Sequence, residues 1–247
     1  AVAHINTTGT VTLNAGAGNI TDNDSLAADD IVAGTLTVTT AGVFGTTADP
    51  IEVQITNLNG LQTTAGGIYL TDSGTDGINI TGNITTAAAA GDIVISTAGG
   101  VLDVNDGVTV NAGAGTVNLT GIGIDVTGIT ASNVILNAGA GDITDGGNTN
   151  TDIVATNISM TAQGIGASGG EIDIDLGAGT LNLTTTGAGA AGDIYVDEIN
   201  GNLITSNINV ITDNTSAQTV QIRNTSGIIT IDSNFTIDNH DTLALVT

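Results

Sequence analysis

Apolar and polar positions alternate over short stretches of this chain, and the alternation restarts at nearly regular intervals. Ile68/Leu70, Ile78/Ile80 and Ile84 make one set, and Ile93/Ile95, Leu102/Val104 and Val108/Val110 make the next. A period of two belongs to β-strands and points the apolar members inward, leaving Thr, Asn and Asp outside. Segments such as Ser73-Gly-Thr-Asp-Gly77 and Asp103-Val-Asn-Asp-Gly107 lie between strands and supply the positive φ that a corner needs. A larger unit repeats above these strands: a small or Thr-rich run, a Gly, often a polar residue, then a strand. It reads Asn14-Ala-Gly-Ala-Gly18-Asn-Ile20, Thr63-Thr-Ala-Gly-Gly67-Ile68, Asn111-Ala-Gly-Ala-Gly115-Thr-Val117 and Asn137-Ala-Gly-Ala-Gly141-Asp-Ile143, with further copies at Gly42, Gly91, Gly170 and Gly192 and a weaker one at Ala217–Val220. The anchor glycines from Gly18 to Gly141 are spaced 24, 25, 24, 24 and 26 residues apart, and the next two steps are 29 and 22.

Three short strands joined by corners cannot bury an apolar face alone, but stacking the next unit on them at about 4.8 Å makes a continuous core. The pattern therefore predicts an all-β fold, a right-handed parallel β-helix (β-solenoid) of about ten coils of roughly 25 residues, forming a single domain over residues 1–247. Ten coils at the strand spacing give a rod about 48 Å long. Equivalent side chains should stack in ladders, Ile on Ile inside and Thr on Thr or Asn on Asn at the corners. A β-sandwich has no reason to keep so constant a spacing, and two-residue hairpin turns between paired strands are scarce.

Composition narrows the chemistry. The chain holds 36 Gly, 1 Pro, no Cys and no Trp, and only 2% of it is aromatic, which leaves β-branched side chains and backbone ladders to stabilise it. One cation, Arg223, stands against 25 acidic residues, giving a net charge of -24 at pH 7. Such a surface repels phosphate backbones and anionic lipid headgroups, so no nucleic-acid partner is expected. No apolar run reaches the roughly 18 residues of a membrane span, so no membrane insertion is expected either. The start, Ala-Val-Ala-His, reads as a processed or excised product.

The stretch Gly42-Val-Phe-Gly-Thr-Thr-Ala-Asp-Pro50-Ile-Glu-Val53, followed by Thr63-Thr-Ala-Gly-Gly67-Ile68-Tyr69-Leu70-Thr-Asp72, resembles the repeats of filamentous-haemagglutinin-like adhesins over residues 42–82. Those are long bacterial surface and secreted β-helices. The resemblance implies an extracellular or cell-surface structural protein, either an adhesin shaft or a subunit of a surface fibre, with a host-surface glycan or protein as a further partner. The alternative reading is a carbohydrate- or calcium-binding surface module.

Catalysis is not expected. Polysaccharide lyase chemistry on a β-helix needs cationic groups, and Arg223, in Val220-Gln-Ile-Arg223, reads as an exposed surface residue. A glycosidase would need carboxylates with aromatic platforms. Here His4 and His240 lie at opposite ends, and Tyr69 and Tyr195, at the same phase of their coils, are about five coils apart.

No cofactor is required by this reading, with Ca2+ as the one candidate, because several loops group hard oxygen donors. These are Asp22-Asn-Asp24 with Asp29 and Asp30; Asp103 with Asn105 and Asp106; and Asp145 with Asn148, Asn150 and Asp152. None has EF-hand or nonapeptide spacing, so solvated corners are the default. Asn6, Asn79, Asn118, Asn214 and Asn224 begin Asn-x-Ser/Thr triplets and are candidate glycosylation sites. Similar triplets begin at Asn19, Asn83, Asn157, Asn182 and Asn234, as a chain rich in Asn and Thr produces by composition.

Neither terminus carries a recognisable cap. Val2, Ile5, Val11 and Leu13 at one end and Leu243 and Leu245 at the other are candidate assembly edges, open to end-to-end stacking as a homopolymer or to further coils of a longer chain.

Overall fold

The computed structural model of the chain describes residues 1–23, 28–40, 42–87, 91–147, 149–213, 215–233, 235–238 and 240–247, with position 40 described by its backbone alone. It is a β-solenoid of stacked coils, about ten turns of about 24 residues each. Strands pair in parallel with their counterparts one coil away, as Ile68–Asp72 does with Ile93–Thr97 and Ile129–Asn137 with Ile153–Ala162. Strands such as Ile68–Asp72, Ile93–Thr97 and Leu181–Thr185 alternate buried and less buried residues, so every second side chain enters the interior.

Three of the interior columns can be followed through much of the rod. One runs Ile20, Phe44, Ile68, Ile93, Val117, Val134, Ile158, Leu181, Ile208. A second runs Leu13, Val38, Leu61, Ile84, Val110, Ile129, Ile153, Ile174 and then changes character to Glu198 and Asn224. The third runs Ile78, Leu102, Ile124, Ile143, Ile165, Ile194, Val220, Leu243. Like residues also stack outside, with Thr10 beside Thr35, Thr161 beside Thr184, and Asn133 beside Asn157. The last pair is joined by a hydrogen bond from Asn157 Nδ2 to Asn133 Oδ1 at 2.9 Å.

The repeated sequence motifs are corner devices. In each Asn-Ala-Gly-Ala-Gly copy the Asn Oδ1 accepts the N–H of the Gly two residues on: Asn14 from Gly16 at 2.9 Å, Asn111 from Gly113 at 2.8 Å, Asn137 from Gly139 at 3.1 Å. That Gly holds a φ of 59°, 55° and 57° respectively, a left-handed conformation that costs other L residues 1–2 kcal/mol or so. The final Gly N–H then bonds back to the first Ala carbonyl, as Gly115 does to Ala112 at 2.9 Å. The Thr-containing copies use a different strut, a buried hydroxyl that donates to a corner carbonyl: Thr63 to Gly66, Thr86 to Gly91, Thr185 to Gly192.

Because both devices are local, they do not report which corner they turn, and here the structure corrects the sequence reading. Val117 stacks on Val134, only seventeen residues on, whereas Ile143 stacks on Ile124 and Ile165. The copies at Asn111 and Asn137 therefore sit at different corners. Gly164-Ile165, not Gly170-Glu171-Ile172, continues the column of Ile143, since Ile172 stacks on Val196. The same shift separates the tyrosines. Tyr69 follows the column of Ile68 and Tyr195 the column of Ile194, so the two do not share a phase.

Candidate functional sites

Among the described residues, stacking covers the core except at the two ends. The apolar residues that are only partly buried against the core are Val2, Ile5, Leu13 and Ala15 at one end and Ile229, Phe235, Ile237, Leu243 and Leu245 at the other. Among the described residues, strands Ile5–Asn6 and Thr10–Gly16 pair on one side, with Ile31–Thr40, and Thr242–Val246 pairs with Thr219–Asn224 alone. Of the edge residues expected from sequence, Val2, Ile5, Leu13, Leu243 and Leu245 lie on these half-covered layers, whereas Val11 is already buried at 8% exposure. Ile228 and Ile231 add exposed apolar surface at 61% and 70%, which the sequence reading did not single out.

Acidic residues form columns of their own. Asp152, Asp173 and Asp197 stand on successive coils, and Arg223 follows next: Asp152 N–H donates to Asp173 O at 2.8 Å, Asp173 pairs with Asp197, and Asp197 with Arg223. Like charges stacked on neighbouring strands repel. Burial, then Asp145, Asp173 and Asp125, pushes the Asp152 carboxyl up to about 8, against the hydrogen bond that its Oδ2 accepts from Asp173 N–H at 2.8 Å. Asp173 is pushed up to about 6 by burial and by Asp197, with Arg223 opposing. Arg223 closes the column: its Nε and Nη2 each lie 2.9 Å from Asp197 Oδ2, and Nη1 lies 3.5 Å from Glu171. Arg223 is thus an ion-paired, half-covered strut and not the exposed residue expected from sequence.

The calcium candidates stay close enough to repel one another, Asp106 acting on Asp103 and Asp145 on Asp152. Asp103 and Asp125 stack on adjacent coils, and Thr144 Oγ1 donates to Asp125 at 3.1 Å. Asp145 Oδ1 accepts Gly147 N–H at 3.0 Å and builds its own turn. Asp106 is exposed, and Asp29 Oδ1 accepts Ser73 Oγ at 2.6 Å. Asp24 and Asn148 lie outside the described residues. Among the described residues one group has the spacing of a metal site, and it includes a residue the sequence did not point to: Asp22, Asp30 and Glu52, with carboxylate oxygens all within 4.8 Å of one another. Glu52 comes from the next coil, so only knowledge of the strand register could have found it.

Two further carboxylates lie inside the core as struts. Asp72 accepts Ile55 N–H and Thr97 Oγ1, both at 3.1 Å, and Glu198 accepts Leu176 N–H at 2.9 Å and Asn200 N–H at 3.0 Å. Burial raises both pKa values all the same.

His4 belongs to the first coil, where Nδ1 lies 3.1 Å from Asp29 O, and His240 pairs with Asp238 at 2.6 Å beside the last strand. Of the glycosylation candidates, Asn6 is exposed, Asn79 and Asn118 are half-buried on strands, and Asn214 lies outside the described residues. Asn224 is 1% exposed and its Nδ2 donates to the carbonyls of Gly201 and Ile228, so it builds a corner and is not accessible for modification in the folded rod. No described helix is long and apolar enough to cross a membrane. No protein-family model, curated protein or solved structure matches the chain.

Proposed function

We propose that this chain is an extracellular structural rod that extends by end-to-end stacking of parallel coils, as a subunit of a surface fibre. The observation that carries the reading is the distribution of incomplete burial: among the described residues, the partly covered residues packed against the core lie in the first and last layers. A second copy placed head to tail would cover Leu243 and Leu245 with the layer of Leu13 and Val11, and would pair the free side of each terminal strand. Covering a half-exposed aliphatic side chain is worth about 1 kcal/mol, and a contact between two different edges does not close on itself, so it propagates. Meanwhile a net charge of -24 opposes side-by-side association, which keeps growth axial.

A second occupant fits the same edges: further coils of one longer polypeptide, as in an adhesin shaft. The resemblance of residues 42–82 to filamentous-haemagglutinin-like repeats favours it. Sedimentation of the purified chain across a concentration series separates the two. Mass that grows with concentration supports self-stacking; a constant monomer mass removes it and leaves the shaft.

A further inference from the structure

Asp30 and Glu52 occupy the same position on successive coils: Ile31 pairs with Val53, and Asp30 N–H donates to Glu52 O at 2.8 Å. Asp22 enters from the preceding corner, on the strand position that bridges to Val2. All three offer an oxygen within 4.8 Å of the others. Proximity alone would mean little in so acidic a chain. Asp30, however, is 2% exposed, and its Oδ2 accepts no hydrogen bond from any described residue. Asp72 shows how this fold treats a carboxylate it uses as a strut: both oxygens are taken up by donors. The one Arg of the chain is committed to Asp197 and Glu171, and His4 to the Asp29 carbonyl. A buried oxygen without a donor, held against two more carboxylates, lacks positive charge.

We propose that Asp22, Asp30 and Glu52 bind a hard divalent cation, Ca2+ in preference to Mg2+. Three carboxylates gathered from a corner and two coils suit Ca2+, which takes protein oxygens in a flexible geometry; Mg2+ demands a near-ideal octahedron, keeps several waters and is usually held by only one or two carboxylates. The group has no nitrogen or sulfur donor, which disfavours zinc and copper. Bound there, the ion ties the Asp22 corner to two successive coils and fastens the first layers of the rod together. The proposal does not depend on end-to-end stacking.

The test is calorimetric titration of the full chain, stripped with chelator, with CaCl2 and separately MgCl2 in about 0.1 M NaCl so that general screening is constant. The expected result is one saturable Ca2+ site per chain with a Kd of about 10⁻⁴–10⁻³ M, and Mg2+ binding weaker by about tenfold or more. Asp30→Asn and Glu52→Gln should each weaken Ca2+ binding by about tenfold or more, and Asp103→Asn should leave it unchanged. Circular dichroism of each variant verifies folding, and because both changes relieve like-charge repulsion neither should unfold the chain. Absence of saturable uptake, with the three carboxyls sharing a proton instead, overturns the proposal. So does uptake that survives both substitutions.

Discussion

Replacing Asp152 by Asn should stabilise the protein in mild alkali and flatten its response to pH. The carboxyl is 1% exposed, one of its oxygens receives no hydrogen bond from the described residues, and Asp145, Asp173 and Asp125 surround it with charge of its own sign. Its pKa stands at about 8 in the folded chain against an ordinary 3.8. Because the folded value is the higher one, the native state binds the extra proton, and stability is full below pH 4 or so and falls as pH rises through about 8. At 1.36 kcal/mol per pH unit that rise corresponds to on the order of 5 kcal/mol lost across the interval. Asn stays neutral throughout and its Oδ1 can still accept the Asp173 N–H, so Asp152→Asn should match the parent protein within about 1 kcal/mol at pH 4.5 and exceed it by several kcal/mol at pH 8.5. Urea unfolding followed by circular dichroism at the two pH values measures this. An Asn variant less stable than the parent at pH 8.5, or a parent protein that gains stability between pH 4.5 and 8.5, would refute the reasoning.

Phe44 is fully buried between Ile20 and Ile68, so Phe44→Ala should cost about 3–5 kcal/mol, whereas Ile135→Ala, at a position 41% exposed, should cost under about 1; chemical denaturation distinguishes them. Gly113 has a φ of 55° with open space around its Cβ direction, so Gly113→Ala should cost about 1 kcal/mol from backbone strain and Gly113→Asn less, read as shifts in thermal midpoint. A lysine on the open edge, Leu245→Lys, should stop end-to-end growth while leaving the far-UV spectrum unchanged, since charges on edge strands block pairing; light scattering reports the loss.

The solenoid was legible because a strand period of two and a coil period near 25 leave direct marks in the order of residues, and Ile68–Ile93–Val117 stack as their spacing says. Register beyond Val117 was not legible. The corner motif Asn-Ala-Gly-Ala-Gly is a local arrangement of one side-chain acceptor and one left-handed glycine, and it serves any corner equally well, so its recurrence at Asn137 hid a coil of seventeen residues. The acidic groupings depended on that register. Loops such as Asp145–Asp152 looked like ligand sets in sequence, yet Asp152 faces Asp173 one coil away, and Asp30 meets Glu52. The half-covered ends were readable as apolar terminal strands, but Val11 was not separable from Leu13 without the coil that covers it.

Electron microscopy of the purified chain at neutral pH tests the central claim most directly. The account predicts rods about 48 Å long joined head to tail into unbranched filaments that show this length as an axial repeat and do not bundle. Particles without a long axis would contradict the solenoid, and rods that stay single as concentration rises would contradict stacking through the open ends.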